Sequence, residues 1–127
     1  MDRVIISSDS APAAAGPYSQ AVKTGNLVFC SGQIPIDPAT GKFVEGGIEA
    51  QTTQCLENLK AVLLEAGSAL EQAVKVKIYL TDMGDFATVN GIYAGYFTDE
   101  PPARLCVEVS ALPLGAKVEI EAISIIA

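Results

Sequence analysis

Histidine is absent from all 127 residues of the chain. That absence removes Ser-His and Cys-His nucleophile pairs, histidine-ligated metals and imidazole acid–base work together. Arginine is nearly as scarce, with only Arg3 and Arg104 among eight basic residues set against fifteen acidic ones. The net charge is −7 and the lysines are scattered. Without a basic patch there is little to neutralise phosphates, so a nucleic-acid partner is not expected. Three cysteines, Cys30, Cys55 and Cys106, form no close pair. They argue against a disulfide framework or structural zinc and for reduced thiols in a cytoplasmic compartment. No apolar run approaches the ~18 residues of a membrane span, and the opening MDRVIISSDSAP has no signal-peptide core. Chemistry must therefore come from carboxylates, hydroxyls, thiols, backbone groups, arginine and water, with no metal or organic cofactor expected.

What the chain does have is apolar surface. Half of its residues are hydrophobic and its mean hydropathy is +0.34, high for one small domain spanning residues 1–127. Three strands are expected first: VII at 4–6, then Ala21 to Lys23 and Leu27 to Ser31 joined by a turn at Thr24-Gly25-Asn26. PIDPATGKF reads as turns. Ile48, Cys55, Leu59, Val62, Leu63 and Ala66 follow three- and four-residue steps, which predicts a helix ending at Gly67. AVKVKIYL alternates as a strand should, and Asp82 or Asp85 can cap a second helix striped by Phe86, Val89, Asn90, Tyr93 and Phe97. Pro101-Pro102 stops that helix, and strands at about 104–109 and 117–126 follow. The order β-β-β-α-β-α-β-β puts both helices on one face of a six-stranded sheet. The last strand carries isoleucine on both of its faces, so its second face is expected to be buried against another subunit.

One arginine stands out against this background. On the strand after Pro102, Leu105, Val107 and Val109 alternate with Arg104, Cys106 and Glu108. If the leucine–valine set meets the helices, Arg104 points to the open face. There it either pairs with Glu108, Glu119 or Glu121 to hold an interface, or clamps a ligand carboxylate with its planar fork. Asn90 is polar on an apolar stripe, which fits a buried hydrogen bond or the stripe's edge. Tyr18 follows a Gly-Pro loop, where an aromatic more often packs than recognises. Ser31 and Gly32 close a strand where backbone N–H groups could meet an anion. Cys106 has no histidine to activate it and reads as a core thiol rather than a nucleophile. Glu119 and Glu121 share a face, and either could position a water as general base.

The stretches GPYSQAV, SGQIPIDPATG, FATVNGIY and PPARLCVEVSALPLGAKVEIEAI, together with the order of elements, resemble the Rid (YjgF-like) family of reactive intermediate deaminases over essentially the whole chain. The resemblance implies an α+β, chorismate-mutase-like subunit and a homotrimer around a central barrel, with clefts between neighbouring copies. It also implies hydrolysis of 2-imino acids and their enamine tautomers, such as 2-iminobutanoate and 2-iminopropanoate, to 2-keto acids and ammonia. By the same resemblance Arg104 grips the substrate carboxylate and Glu119 holds water. Tyr18, Ser31, Gly32 and Asn90 line the cleft, and Cys106 contributes through its backbone. Leu105 stands where many relatives carry a small or hydroxyl residue, though alternation should turn it to the core. The segment between Asn90 and Arg104 is shorter than in some members, which affects the cleft rim. A non-catalytic sensor of keto or amino acids built on the same cleft is the alternative. A ribonuclease role fits poorly with the charge and the missing histidine.

Overall fold

The computed structural model describes residues 2–126. The chain runs through β1 (Val4–Ile6), β2 (Ala21–Thr24), β3 (Leu27–Gln33), β4 (Ile36–Asp37) and β5 (Lys42–Phe43) before reaching α1 (Ile48–Glu65). It continues through β6 (Ala73–Leu80), α2 (Phe86–Tyr96), β7 (Ala103–Glu108) and β8 (Val118–Ile125). Six strands make one mixed sheet in the order β1-β2-β3-β8-β6-β7. Every pairing is antiparallel except β6 with β7. This is the expected α+β arrangement. The stretch read as turns also forms a small hairpin of its own, β4 with β5.

The α1 stripe folds as its spacing dictates. Cys55, Leu59, Val62 and Leu63 are wholly buried, and each large aliphatic side chain so removed from water contributes about 1.5–3 kcal/mol. The helix stops because Gly67 takes φ +84°, a conformation open to glycine at little cost. Its N–H donates to the Leu64 carbonyl at 3.1 Å and that of Ser68 to Leu63 at 2.9 Å, closing the last turn. Of the two candidate caps for the second helix, Asp82 acts: its carboxylate accepts from the Gly84 N–H at 2.8 Å, at the start of the turn leading into α2. The Asp85 side chain makes no capping bond.

The two faces of the sheet differ sharply. Val76, Ile78 and Leu80 of β6 and Val118, Ile120 and Ala122 of β8 are buried beneath the helices. The opposite face carries Lys77, Tyr79, Glu119, Glu121 and Ile123, together with Phe29, which is 44 % exposed. No element of the described chain covers that face.

β7 sits the other way round from the sequence expectation. Its register pairs Arg104 with Val76, Cys106 with Ile78 and Glu108 with Leu80, so these three share the helix side. Leu105 and Val107 lie on the open face with Lys77 and Tyr79, and Leu105 is 43 % exposed rather than in the core. The physical reason lies outside the strand. β7 is an edge strand, and α2 presents aromatic rings over it that suit a guanidinium as well as an aliphatic side chain. Leu105 and Val107 meanwhile join the exposed apolar surface of the other face.

Candidate functional site

The predicted site residues fall into two groups on one chain. The first surrounds a cleft of about 640 Å³ whose lining includes Tyr18, Ser31, Gly32, Glu119 and Glu121. The second, Asn90, Arg104 and Cys106, lies on α2 and β7. In the sheet, β6 separates β7 from β8, and neighbouring strands stand ~4.8 Å apart. Arg104 shares the face of Val76, whereas Glu119 shares that of Tyr79. The guanidinium and the carboxylate therefore point to opposite sides of one sheet, and a small molecule cannot touch both within a single copy.

The cleft is assembled by two side-chain amides that belong to no recognisable catalytic motif. Buried Gln20 accepts from the Ser8 N–H at 2.6 Å and donates to the Ser8 and Pro12 carbonyls at 3.1 and 2.8 Å. It thereby staples the N-terminal loop that forms one wall. Buried Asn58, on α1, donates to the Ile34 and Ile36 carbonyls at 3.1 and 2.9 Å and fixes another. Both are polar groups buried with their partners, the pattern a rigid polar scaffold requires. Gln20 lies inside the GPYSQAV stretch, where Tyr18 had drawn attention; a long amide next to a Gly-Pro loop was the available signal.

Ser31 proves to be committed to this scaffold. Its hydroxyl donates to the Ser19 carbonyl at 2.6 Å and its N–H to the Gln20 carbonyl at 2.9 Å. The expectation that the Ser31 N–H meets an anion is thus corrected, because that donor is already used to close the loop. Tyr18 is 53 % exposed, and its hydroxyl accepts the Ala15 N–H at 3.3 Å, which leaves the ring and the hydroxyl proton to face a ligand.

Gly32 has a role that residue type alone could not reveal. The pairing of β3 with β8 shifts register between Cys30 and Gln33, a bulge that brings Gly32 under the Glu119 side chain. A methyl group on Gly32 would lie 2.8 Å from Glu119 Cδ and closer still to Oε2. Glycine is there so that the carboxylate can rest against the backbone. Burial, and then the charge of Glu121, raise the Glu119 carboxyl above the ordinary carboxylate value of 4.5. Among the described residues Glu119 accepts no hydrogen bond, whereas Glu121 accepts from the Tyr79 hydroxyl at 2.5 Å. That bond is the main reason the Tyr79 phenol is pushed up to about 12. Of the two carboxylates, Glu121 is engaged and Glu119 is free.

The second group is built around Arg104. Its Nη1 donates to Asn90 Oδ1 at 2.7 Å, and the guanidinium carbon lies 4.9 Å from the centre of the Tyr93 ring and 5.6 Å from that of Phe86. Each such cation–ring contact contributes about 0.5–1 kcal/mol at an exposed site. Asn90 is the one hydrogen-bond partner of Arg104 among the described residues, and it is neutral. Glu108, the carboxylate on the same strand face, instead accepts the Met83 N–H at 2.7 Å. The guanidinium is held in place with no carboxylate paired to it among the described residues. Burial raises the Cys106 thiol while Arg104 pulls it back only in part, so it stays protonated and packs against the core. Burial likewise pushes the Cys30 thiol up to about 12. Among the described residues no three cysteine, aspartate or glutamate side chains are grouped as a metal would require. No helix is long and apolar enough to cross a membrane.

At the rim of the cleft, Leu114 takes φ +57° and ψ +23° inside the turn Pro113–Gly115. A leucine held there costs about 1–2 kcal/mol relative to right-handed backbone, and its side chain is 75 % exposed.

Known proteins share this fold. The model of the Endoribonuclease L-PSP family matches residues 8–126. A RutC family protein, y4sK, of Sinorhizobium fredii is 56 % identical over 118 residues, covering 93 % of this chain and 94 % of its own. The mouse 2-iminobutanoate/2-iminopropanoate deaminase is 47 % identical over 123 residues, covering 97 % and 91 %. The crystal structure of the Rid family protein YyfA from Yersinia pestis superposes with a TM-score of 0.94 at 49 % identity, over 98 % of this chain and all of that one. With the family model spanning nearly the whole sequence and a relative 56 % identical over 93 % of the chain, the chain belongs to the Rid (YjgF-like, L-PSP) family.

Proposed function

We propose that the protein is a hydrolytic deaminase that converts 2-imino acids and their enamine tautomers to 2-keto acids and ammonia. We propose further that it works as a homotrimer with a site between each pair of copies. The observation that carries this reading is the complementarity of the two groups. A cation without an anion faces one side of the sheet, and a half-buried carboxylate without a donor faces the other. Each is half of a site for a small molecule bearing a carboxylate and an electrophilic carbon. The apolar open face, with Phe29 and Leu105 exposed, supplies the surface by which copies would meet. The name of the mouse relative points to the same chemistry.

The mechanism needs little machinery, because a protonated imine is already electrophilic. Arg104 of one copy binds the substrate carboxylate through its fork, and Asn90 acts as a positioning residue by fixing Nη1. Glu119 of the next copy polarises a water towards C2. Oxygen bonds to C2 as the C=N π pair moves to nitrogen and Glu119 takes one water proton. That proton passes to nitrogen, the C2–N bond breaks to release ammonia, and the remaining hydroxyl proton goes to Glu119 as C2=O forms. Positioned acid–base assistance of this kind contributes roughly 10²–10⁴-fold. The family description mentions an endoribonuclease. A chain of net charge −7 with scattered lysines is a poor partner for a polyanion, which favours the small anion as substrate.

The test is a coupled reaction of threonine dehydratase and threonine in semicarbazide, which traps free imine. The protein is expected to raise the yield of keto acid over trapped imine. A protein that leaves the yield unchanged while binding keto acids through Arg104 would be a sensor instead. Glu119 must be ionised to act, and its carboxyl is raised, so kcat/KM should fall as pH drops through a value above the ordinary 4.5. Glu119→Gln should remove that acid limb from the pH profile, and a limb that persists would assign it to another group.

A further inference from the structure

The lining of the cleft is uneven in its chemistry. Ser31, Gln33, Glu119 and Glu121 come from β3 and β8, and Gln20 adds an amide from the loop before β2. Most of the apolar lining comes from two loops, with Pro12, Ala13 and Tyr18 on one and Pro113 and Leu114 on the other. Leu114 is the residue the fold explains least. It occupies left-handed backbone that glycine or asparagine would take more readily. Its side chain is three-quarters exposed and lies outside the hydrophobic core. Neither local conformation nor packing within the chain calls for a leucine, yet its side chain lines the cleft.

A 2-imino acid has one end bearing charge and one end bearing the amino-acid side chain. With the carboxylate on Arg104 and C2 beside the water on Glu119, the side chain is the part left to meet the apolar loops. We infer that Leu114 is a specificity-determining residue, which favours 2-imino acids with extended apolar side chains over short ones by lending them an apolar wall. This rests on the deaminase reading above. Apolar contact discriminates by modest factors, about tenfold or somewhat more for a methylene-sized difference, so Leu114 sets a preference without excluding small substrates.

The test generates two imines with D-amino-acid oxidase, one from D-alanine and one from D-leucine, and measures kcat/KM for each against semicarbazide. Wild type, Leu114→Gly and Leu114→Met are compared, with the oligomer mass of each recorded. The leucine-to-alanine ratio should fall about tenfold in Leu114→Gly and recover in Leu114→Met, with the assembly unchanged. An equal ratio in all three proteins overturns the inference. So does a Leu114→Gly protein that dissociates, because Leu114 would then be a contact between copies. A wild type that hydrolyses neither imine rejects the deaminase reading itself, an outcome distinct from an unchanged ratio.

Discussion

Arg104→Ala is expected to lower kcat/KM for 2-iminobutanoate by about 10²–10³-fold, the scale on which truncating one partner of a desolvated charge pair acts. A net charge of −7 repels a carboxylate at long range, and the lysines of the neighbouring strand, Lys75 and Lys77, lie on the other face from Arg104 and cannot stand in for it. Arg104→Lys keeps the charge but loses the fork, the bond to Asn90 Oδ1 and the flat contact over Tyr93, and should recover only part of the loss. Stability should change little, because Arg104 is exposed and makes one hydrogen bond to a side chain on α2. A thermal midpoint that collapses along with activity would show that Arg104 holds the fold rather than the substrate.

The same variant tests where the site is made. Arg104 and Glu119 point to opposite faces of one sheet, so the proposed site would draw them from different copies. Arg104→Ala and Glu119→Gln subunits, each strongly impaired alone, should regain activity when unfolded and refolded together. If each site takes one residue from each of two neighbours, random mixing restores roughly a quarter of the sites in a closed ring. Mixtures that stay inactive while forming mixed oligomers would place both residues in one copy and reject the shared site.

How much of this could be read from the sequence depended on whether the deciding partner was local. The α1 stripe was legible because Cys55, Leu59 and Val62 bury themselves at helical spacing, and β6 was legible because Val76, Ile78 and Leu80 alternate with lysines and Tyr79. β7 was not. Of its two residue sets, Leu105-Val107 reads as the core-facing one by polarity and Arg104-Cys106-Glu108 as the exposed one, and the structure reverses them. Alternation fixes that they are opposed but not which side faces the helices. The choice rests on Phe86 and Tyr93, which come from another element. The site followed the same rule. Arginine scarcity and the closing motif point to Arg104 and the resemblance to Glu119, while the bond that engages Glu121 comes from the Tyr79 hydroxyl, 42 residues away along the chain.

Gly32→Ala should cost activity while sparing the fold, and the reason is a distance. The added methyl would lie 2.8 Å from Glu119 Cδ, where two unbonded carbons cannot stay. What gives way is the end of a flexible side chain, so the backbone bulge can persist and the thermal midpoint should move by only a few degrees, as for about 1 kcal/mol. The carboxylate, however, must leave the position from which it would polarise water. A base displaced by about an ångström loses much of its effect, so a loss on the order of 10²-fold in kcat is expected, with KM little changed because Arg104 still binds the carboxylate. Serine at this position should behave as alanine does. The decisive comparison is the double variant. If Gly32 acts only by making room for Glu119, adding Gly32→Ala to Glu119→Gln should cost far less than the product of the two single losses, since the group it displaces has already been disabled. Losses that multiply in full would mean that Gly32 serves the reaction through its own backbone N–H, and the role argued here for its missing Cβ would have to be given up.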